Sequence, residues 1–274
     1  MAEPRPLAGV ESAARYRLRV ARQRFFGQVG GARGRTAGGS FDFLDSRDYV
    51  AGDDVRHVDW RGFARTGQLR VRQFEADVAP HVDVVVDTSP SMASTRAKAT
   101  ALRALVAAFA VWAGQDGASW RCHRLGGDRL SAPEAPDFPI GDGPTAPALP
   151  VQPLRRGGVR VLLTDGLWPD SPRALLHTML AGAAHGVCVQ LLDPWELAPT
   201  VGEALTLVDC ETGERLERRL DAALCAGYRE RLQRLCDELR TVVVGGGGLH
   251  AVVAAAPLAT MCEELVAAGV LEPA

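Results

Sequence analysis

Three short apolar runs, each closing on an aspartate, constrain this chain more than any other feature. They are "HVDVVVD" from His81, "GVRVLLTD" from Gly158 and "GVCVQLLD" from Gly186. Runs this short, apolar almost throughout and rich in valine, read as strands covered on both faces, as in parallel sheets. Helical spacing lies between them. Leu102, Leu105, Val106, Phe109 and Ala113 recur along Thr95 to Ala113, and Gly114 supplies a stop. "SPRALLHTMLAGAAH" predicts a helix with Ser171 as N-cap and proline in its first turn. Strands alternating with helices imply right-handed crossovers, hence an α/β fold: a doubly wound, mostly parallel sheet with helices on both faces. Ligands of such sheets bind beyond the carboxyl ends of the strands. Asp87 and Asp165 both end strands, so they become candidates for one site.

The rest of the chain is read around that core. "SWRCHRLGG" is a weaker strand, followed by a proline-rich loop from Ser131 to Pro153. A hairpin is expected about Gly213 and a helix from Asp221 to Arg240. "TVVVGGGGLHAVVAAAPLATM", from Thr241, is long enough to span a bilayer. Its four glycines, His250 and Pro257 favour a strand, a glycine turn, a second strand and a helix, so no membrane span is expected. Residues 1–40 hold eight arginines against Glu3 and Glu11 and predict a basic helix over Ser12 to Phe26, then a glycine-rich arm. Residues 41–80 form a small strand-containing element, with "QLRVRQFEA" as a strand and Gly52 and Gly67 at turns. Residues 81–274 form the main domain. A net charge of −2 argues against a globally basic nucleic-acid binder. Six scattered cysteines without a CxxC pair exclude the usual zinc and disulfide frameworks. With no apolar core of signal-peptide length near the start, the expected compartment is the cytoplasm.

Familiar catalytic patterns are missing. No GxSxG surrounds Ser89 or Ser91, and the one lysine, Lys98, lies inside a helix without P-loop glycines before it. "GDGPTA" at Gly141 fits GxGxxA but follows no strand. The histidines show no HExxH spacing, and His57 and His81 read as surface or packing residues. The oxygen groups are more coherent. Ser89 and Ser91 sit two apart in a strand-to-helix turn just past Asp87, which aims both hydroxyls at one point. Hydroxyls backed by carboxylates and water suit a hard cation, Mg²⁺ or Mn²⁺. The same serines also suit capping of the following helix, and the residues alone leave both readings open.

"DTSPSM" after a valine strand, with "LLTDG" on a later strand, resembles the metal-ion-dependent adhesion site of von Willebrand factor A domains. The resemblance implies that Ser89, Ser91 and a loop threonine, matched by Thr145, bind the metal directly. Asp87 and Asp165 then act through waters, with Thr88 and Thr164 as adjacent decoys. "RDYVAGDDVRHVDWRGFARTGQLRVRQFE" further resembles the signature of a family of unknown function, number fifty-eight, which carries this A-type domain. Tyr49, Gly52, Asp53, Arg56, Asp59, Trp60, Ala64, Arg65 and Thr66 match it, with Val58 in place of isoleucine. That family is typically encoded beside MoxR-type AAA+ ATPases. The resemblance therefore implies a von Willebrand factor A-like fold and an adaptor role with such an ATPase or its client, whose Asp or Glu completes the metal's coordination.

Read from its residues, the signature looks structural. Gly52 permits a turn, Asp53 satisfies backbone donors there, Trp60 packs against a sheet, and Arg56 pairs with Asp59. A second acidic metal cluster at Asp53, Asp54 and Asp59 is the competing reading. Two function classes follow: a non-enzymatic, metal-dependent interaction module, or a hydrolase using metal-activated water with Asp87 or Asp165 as base.

Overall fold

The computed structural model describes residues 10–19, 41–50, 58–76, 81–130, 138–202 and 204–274. In chain order the elements are α1 (Val10–Ala13), β1 (Tyr16–Leu18), β2 (Phe41–Asp48), α2 (Trp60–Thr66), β3 (Arg70–Ala76) and β4 (His81–Val86). A 3₁₀ turn (Pro90–Ala93) leads to α3 (Arg96–Gln115), β5 (Ser119–Arg124), β6 (Arg129–Leu130), β7 (Val159–Thr164), α4 (Arg173–Leu180) and β8 (His185–Leu192). Then come α5 (Pro194–Leu197), β9 (Ala204–Val208), β10 (Arg215–Arg219), α6 (Ala222–Gly245), β11 (Leu249–Ala254), α7 (Leu258–Ala267) and β12 (Leu271–Pro273). The chain divides into two compact units: residues 24–79, and the segments on either side of them.

The larger unit is built on a six-stranded sheet in the order β11-β8-β7-β4-β5-β6. Every pairing is parallel except the short antiparallel β5–β6 edge. The three aspartate-ended runs are β4, β7 and β8, side by side. Their side chains are buried almost end to end, which is why their sequences lack alternation. Helix α3 packs over β4 and β5 on one face, with α7 and α1 beside it. On the other face α4 and α6 enclose a core of Val85, Leu162, Cys188, Leu176, Met179 and Leu239. From β4 the chain goes first to β5 on one side, then returns to β7 on the other. The order therefore reverses between β4 and β7, the switch point at which sheets of this kind place their ligand crevice, beyond the carboxyl ends of the strands.

Several expectations are corrected here. Of the basic helix expected over Ser12 to Phe26, residues 20–26 lie outside the described residues, and the described part is not one continuous helix. Residues 10–13 make one helical turn, and Tyr16–Leu18 is a strand paired antiparallel with β12. Leu18 is fully buried, and Trp112 Nε1 donates to the Ala13 carbonyl at 2.9 Å, so this stretch belongs to the large unit and not to a separate arm. "TVVV" at Thr241 is not a strand but the last turns of α6. There Val242 and Val243 continue the buried stripe of Leu232 and Leu239, and packing overrides the β-branched preference. Helix α4 has Pro172 at its cap position, while the Ser171 hydroxyl meets Glu238 at 2.6 Å. Among the described residues one helix, α3, is long and apolar enough to cross a membrane, and Leu102, Leu105, Val106, Phe109 and Trp112 of its apolar stripe are buried.

The smaller unit pairs β2 with β3 antiparallel, with an irregularity between Phe43 and Asp45. Val58 bridges Val71, and α2 ends on Gly67 at φ 71°, a left-handed cap that favours glycine. Trp60, expected to pack against a sheet, is 56% exposed and meets Phe63 edge-on at 6.4 Å. Gly52, Asp53, Asp54, Arg56 and His57 lie outside the described residues.

Candidate functional site

Strand β4 delivers Asp87 into the crevice, where its backbone N–H donates to the Leu163 carbonyl of β7 at 2.8 Å. The turn that follows gives the capping reading of the serines no hydrogen bond. Ser89 precedes the 3₁₀ turn but makes no side-chain capping bond, and α3 is capped by Thr95, whose hydroxyl accepts from Lys98 N–H at 3.1 Å. The serines are thus released from capping. Their hydroxyls hydrogen-bond each other at 3.0 Å, with Ser89 2% and Ser91 8% exposed.

Both carboxylates are held behind them by neutral donors and one cation. Asp87 Oδ1 accepts from Ser89 N–H at 2.9 Å; Oδ2 accepts from Thr164 Oγ1 at 2.7 Å and Trp168 Nε1 at 2.8 Å. Burial, and then the neighbouring Asp165 charge, push the Asp87 carboxyl above its ordinary value, against the pull of the Thr164 and Ser89 hydrogen bonds. Asp165, from the end of β7, accepts from Leu167 N–H at 3.0 Å and from Lys98 Nζ at 2.8 Å. Lys98 is fully buried and also donates to both Glu196 oxygens, at 2.8 and 2.9 Å. Burial alone would lower its pKa, but Asp165 and Glu196 together raise it, so it stays an ammonium.

That ammonium is latched from two sides. Glu196 and Asp193 form the capping box of α5, Glu196 Oε2 accepting from Asp193 N–H at 2.7 Å. Thr95 Oγ1 donates to Asp193 Oδ2 at 2.8 Å. Thr95 and Lys98, one turn apart on α3, therefore engage Asp193 and Glu196, one turn apart at α5.

Thr145 lies in a loop tied to the same turn. Gly141 and Gly143 N–H groups both donate to the Thr88 carbonyl at 2.9 Å. A Cβ at Gly143 would stand 2.7 Å from that carbonyl oxygen, so the approach needs glycine. Arg124 bonds the Thr88 hydroxyl at 3.0 Å and pairs with Asp142. Thr145 is half-buried, two residues past Gly143. Of the decoys, Thr88 accepts from Arg124, while Thr164 donates to Asp87 within the site.

The sequence reading thus named Asp87, Ser89, Ser91 and Asp165, which meet at adjacent strand ends, and Thr145 on a loop bonded to Thr88. It missed Lys98, Glu196, Thr164 and Trp168. Lys98 had a signal: a lysine in phase with the stripe of Leu102, Leu105, Phe109 and Trp112, where a charge needs a buried partner. Among the described residues no cluster of three His, Cys, Asp or Glu side chains is gathered as metal ligands; the crevice offers hydroxyls in front of its carboxylates.

The chain matches the family model "Protein of unknown function DUF58" over residues 45–124. Among curated proteins it is 33% identical over 205 residues to Uncharacterized protein Rv1480 of Mycobacterium tuberculosis and to Uncharacterized protein Mb1516 of Mycobacterium bovis. The alignments cover 66% of this chain and 64% of each relative, so the chain spans about two thirds of their length, slightly under. Two solved structures align at 13% identity. One is the conserved hypothetical protein BatB from Bacteroides thetaiotaomicron, with TM-score 0.36 over 70% of this chain and 99% of that one. The other is an aerotolerance-related membrane protein from Bacteroides fragilis, with TM-score 0.33 over 69% and 100%. Residues 45–124, from Asp45 through the end of β5, thus carry the match to the DUF58 family of proteins of unknown function.

Proposed function

We propose that the crevice is a divalent-metal adhesion site of the von Willebrand factor A type, and that the protein is an interaction module rather than an enzyme. One observation carries the reading: the Ser89 and Ser91 oxygens lie 3.0 Å apart and are free of capping duty. Two neighbouring ligands of an octahedral Mg²⁺, each at roughly 2.0–2.1 Å, are themselves about 3.0 Å apart. Ser89, Ser91 and Thr145 would hold the ion, with Asp87 and Asp165 behind them. Bound there, Mg²⁺ or Mn²⁺ supplies a Lewis-acidic position for a carboxylate of a partner protein. The chain's own residues orient the hydroxyls, hold the turn and exclude water from below. Each oxygen of both carboxylates already accepts a hydrogen bond, which favours a positioning role over that of a general base. The partner class that the family resemblance suggests is a MoxR-type AAA+ ATPase or its client, met in the cytoplasm.

The test is thermal unfolding in Mg²⁺ or Mn²⁺ against EDTA. Wild type should be stabilised by about 2.7 kcal/mol at 100 times Kd. Ser89→Ala with Ser91→Ala should lose that gain while keeping the metal-free melting temperature, and Thr145→Ala should weaken it. A full metal-dependent shift in the double serine variant removes the site from this crevice. Metal-dependent turnover in a phosphoesterase screen, lost with Asp87→Ala, would replace the binding reading by the hydrolytic one.

A further inference from the structure

A second site lies away from the crevice, on the face of β5 and β6 at the antiparallel edge of the sheet. A cavity of about 490 Å³ is lined there by Arg121, His123, Arg129, Gln152 and Pro153. The register explains the gathering. Arg121 and His123 are two apart on β5 and share a face; His123 pairs with Arg129 on β6, and Arg121 pairs with Asp83 on β4.

The lining offers donors. The acid of this face, Asp83, is taken by Arg155. Its Oδ1 accepts from Arg155 Nε at 3.0 Å and Nη2 at 2.9 Å, and its Oδ2 from the Arg155 N–H at 2.7 Å. Arg121 and Arg129 have no acidic partner among the described residues. Gln152 spends its carbonyl oxygen on the Arg129 N–H at 2.8 Å, which leaves its NH₂ as donor. His123 adds an independent signal. It is 1% exposed, yet neither ring nitrogen has a hydrogen-bond partner, and Nε2 stands 3.9 Å from Asp83 Oδ1, beyond bonding reach. With Asp83 near but not bonded, leaving both buried ring nitrogens without a hydrogen bond is costly, and a group entering the cavity can bond them.

Two guanidiniums without acids among the described residues, an amide NH₂ and an imidazole with no hydrogen bond around one cavity match an oxyanion with several acceptor oxygens. We propose that this cavity binds a phosphate group, as inorganic phosphate or a phosphate monoester. The site shares no residue with the metal crevice and does not depend on it.

The experiment is calorimetric titration of the full chain with inorganic phosphate and with phenyl phosphate, in EDTA and at ionic strength held constant with chloride. Saturable binding of either probe is expected. Arg121→Gln and Arg129→Gln should each weaken it by roughly 10-fold or more, the scale of a lost charge-assisted hydrogen bond. Arg218→Gln, on exposed β10, should leave it unchanged. Both arginine variants replace side chains at the rim, and circular dichroism checks their fold. Tighter binding of phenyl phosphate assigns the site to monoesters, and equal binding to the phosphate group alone. No saturable heat in wild type, or wild-type affinity in the double arginine variant, overturns the proposal.

Discussion

Replacing Lys98 by methionine tests the centre of the crevice. Methionine keeps most of the side chain's length but removes the ammonium that faces Asp165 and Glu196. Breaking a buried pair by deleting one partner costs about 3–5 kcal/mol, because the remaining charge is stranded. The structure places the cost near the lower end. Glu196 keeps 14% exposure and can turn toward water, whereas Asp165 is fully buried and has no such exit. A loss of about 3 kcal/mol lowers the melting temperature of a domain this size by roughly 6–12 °C. Differential scanning calorimetry in EDTA, with urea unfolding as a check on slope, measures it. Adding Asp165→Asn removes the stranded charge and should recover at least about 1 kcal/mol, a coupling that independent sites do not show. On the metal reading, the single variant should also gain more from Mg²⁺ than wild type, since a cation is missing beside Asp165. A single variant within about 1 kcal/mol of wild type, or a double variant no better than the single, refutes the reasoning.

Other predictions concern the surroundings. Because the folded environment raises the lysine pKa, the Lys98 contribution is full at neutral pH and is lost as pH rises past about 10.5; the gap between wild type and Lys98→Met should close there in alkaline unfolding curves. His250 is held down to about 4, first by burial and then by the Arg240 charge, so it stabilises the fold above about 6.5 and loses that effect as pH falls toward 4. His250→Gln should flatten the acid limb of urea midpoints measured between pH 7 and 4.5. Gly143→Ala drives a methyl into the Thr88 carbonyl and should cost about 1–3 kcal/mol, with a matching loss of metal-dependent stabilisation as the Thr145 loop lifts. Trp112→Phe deletes the hydrogen bond to Ala13 and should increase protease cleavage within residues 10–19, read by mass spectrometry.

What the sequence reveals and what it hides follow from locality. Strands β4, β7 and β8 are legible because burial on both faces writes itself into consecutive residues. The hairpin of β9 and β10 about Gly213 and the stop of α3 near Gly114 are legible for the same local reason. Val242 and Val243 mislead because their helical state is decided by the stripe they extend, not by their own preference. In the crevice, Asp87, Ser89 and Ser91 fall within five residues and form a visible pattern. Lys98 and Glu196 meet only because α3 and the start of α5 converge on one strand end, a fact no short window contains. Trp168 is hidden likewise: its indole reaches back to Asp87 from the far side of the β7 turn.

The pairing of β1 with β12 has a consequence for how the protein is made. Leu18 sits opposite Leu271, Arg19 N–H donates to Val270, and Ala274 N–H donates to the Arg15 carbonyl. On the ribosome, residues 10–19 emerge before the six-stranded sheet, but the strand they need emerges after it. Such long-range pairing is slow, because the intervening chain must be ordered before the contact rewards its closure. The nascent protein therefore carries Leu18 without its β12 cover while the residues between the two strands are made, an interval in which uncovered apolar chain invites misassembly. Sheet and helices can assemble as they appear, while this clasp closes only after β12 has left the exit tunnel.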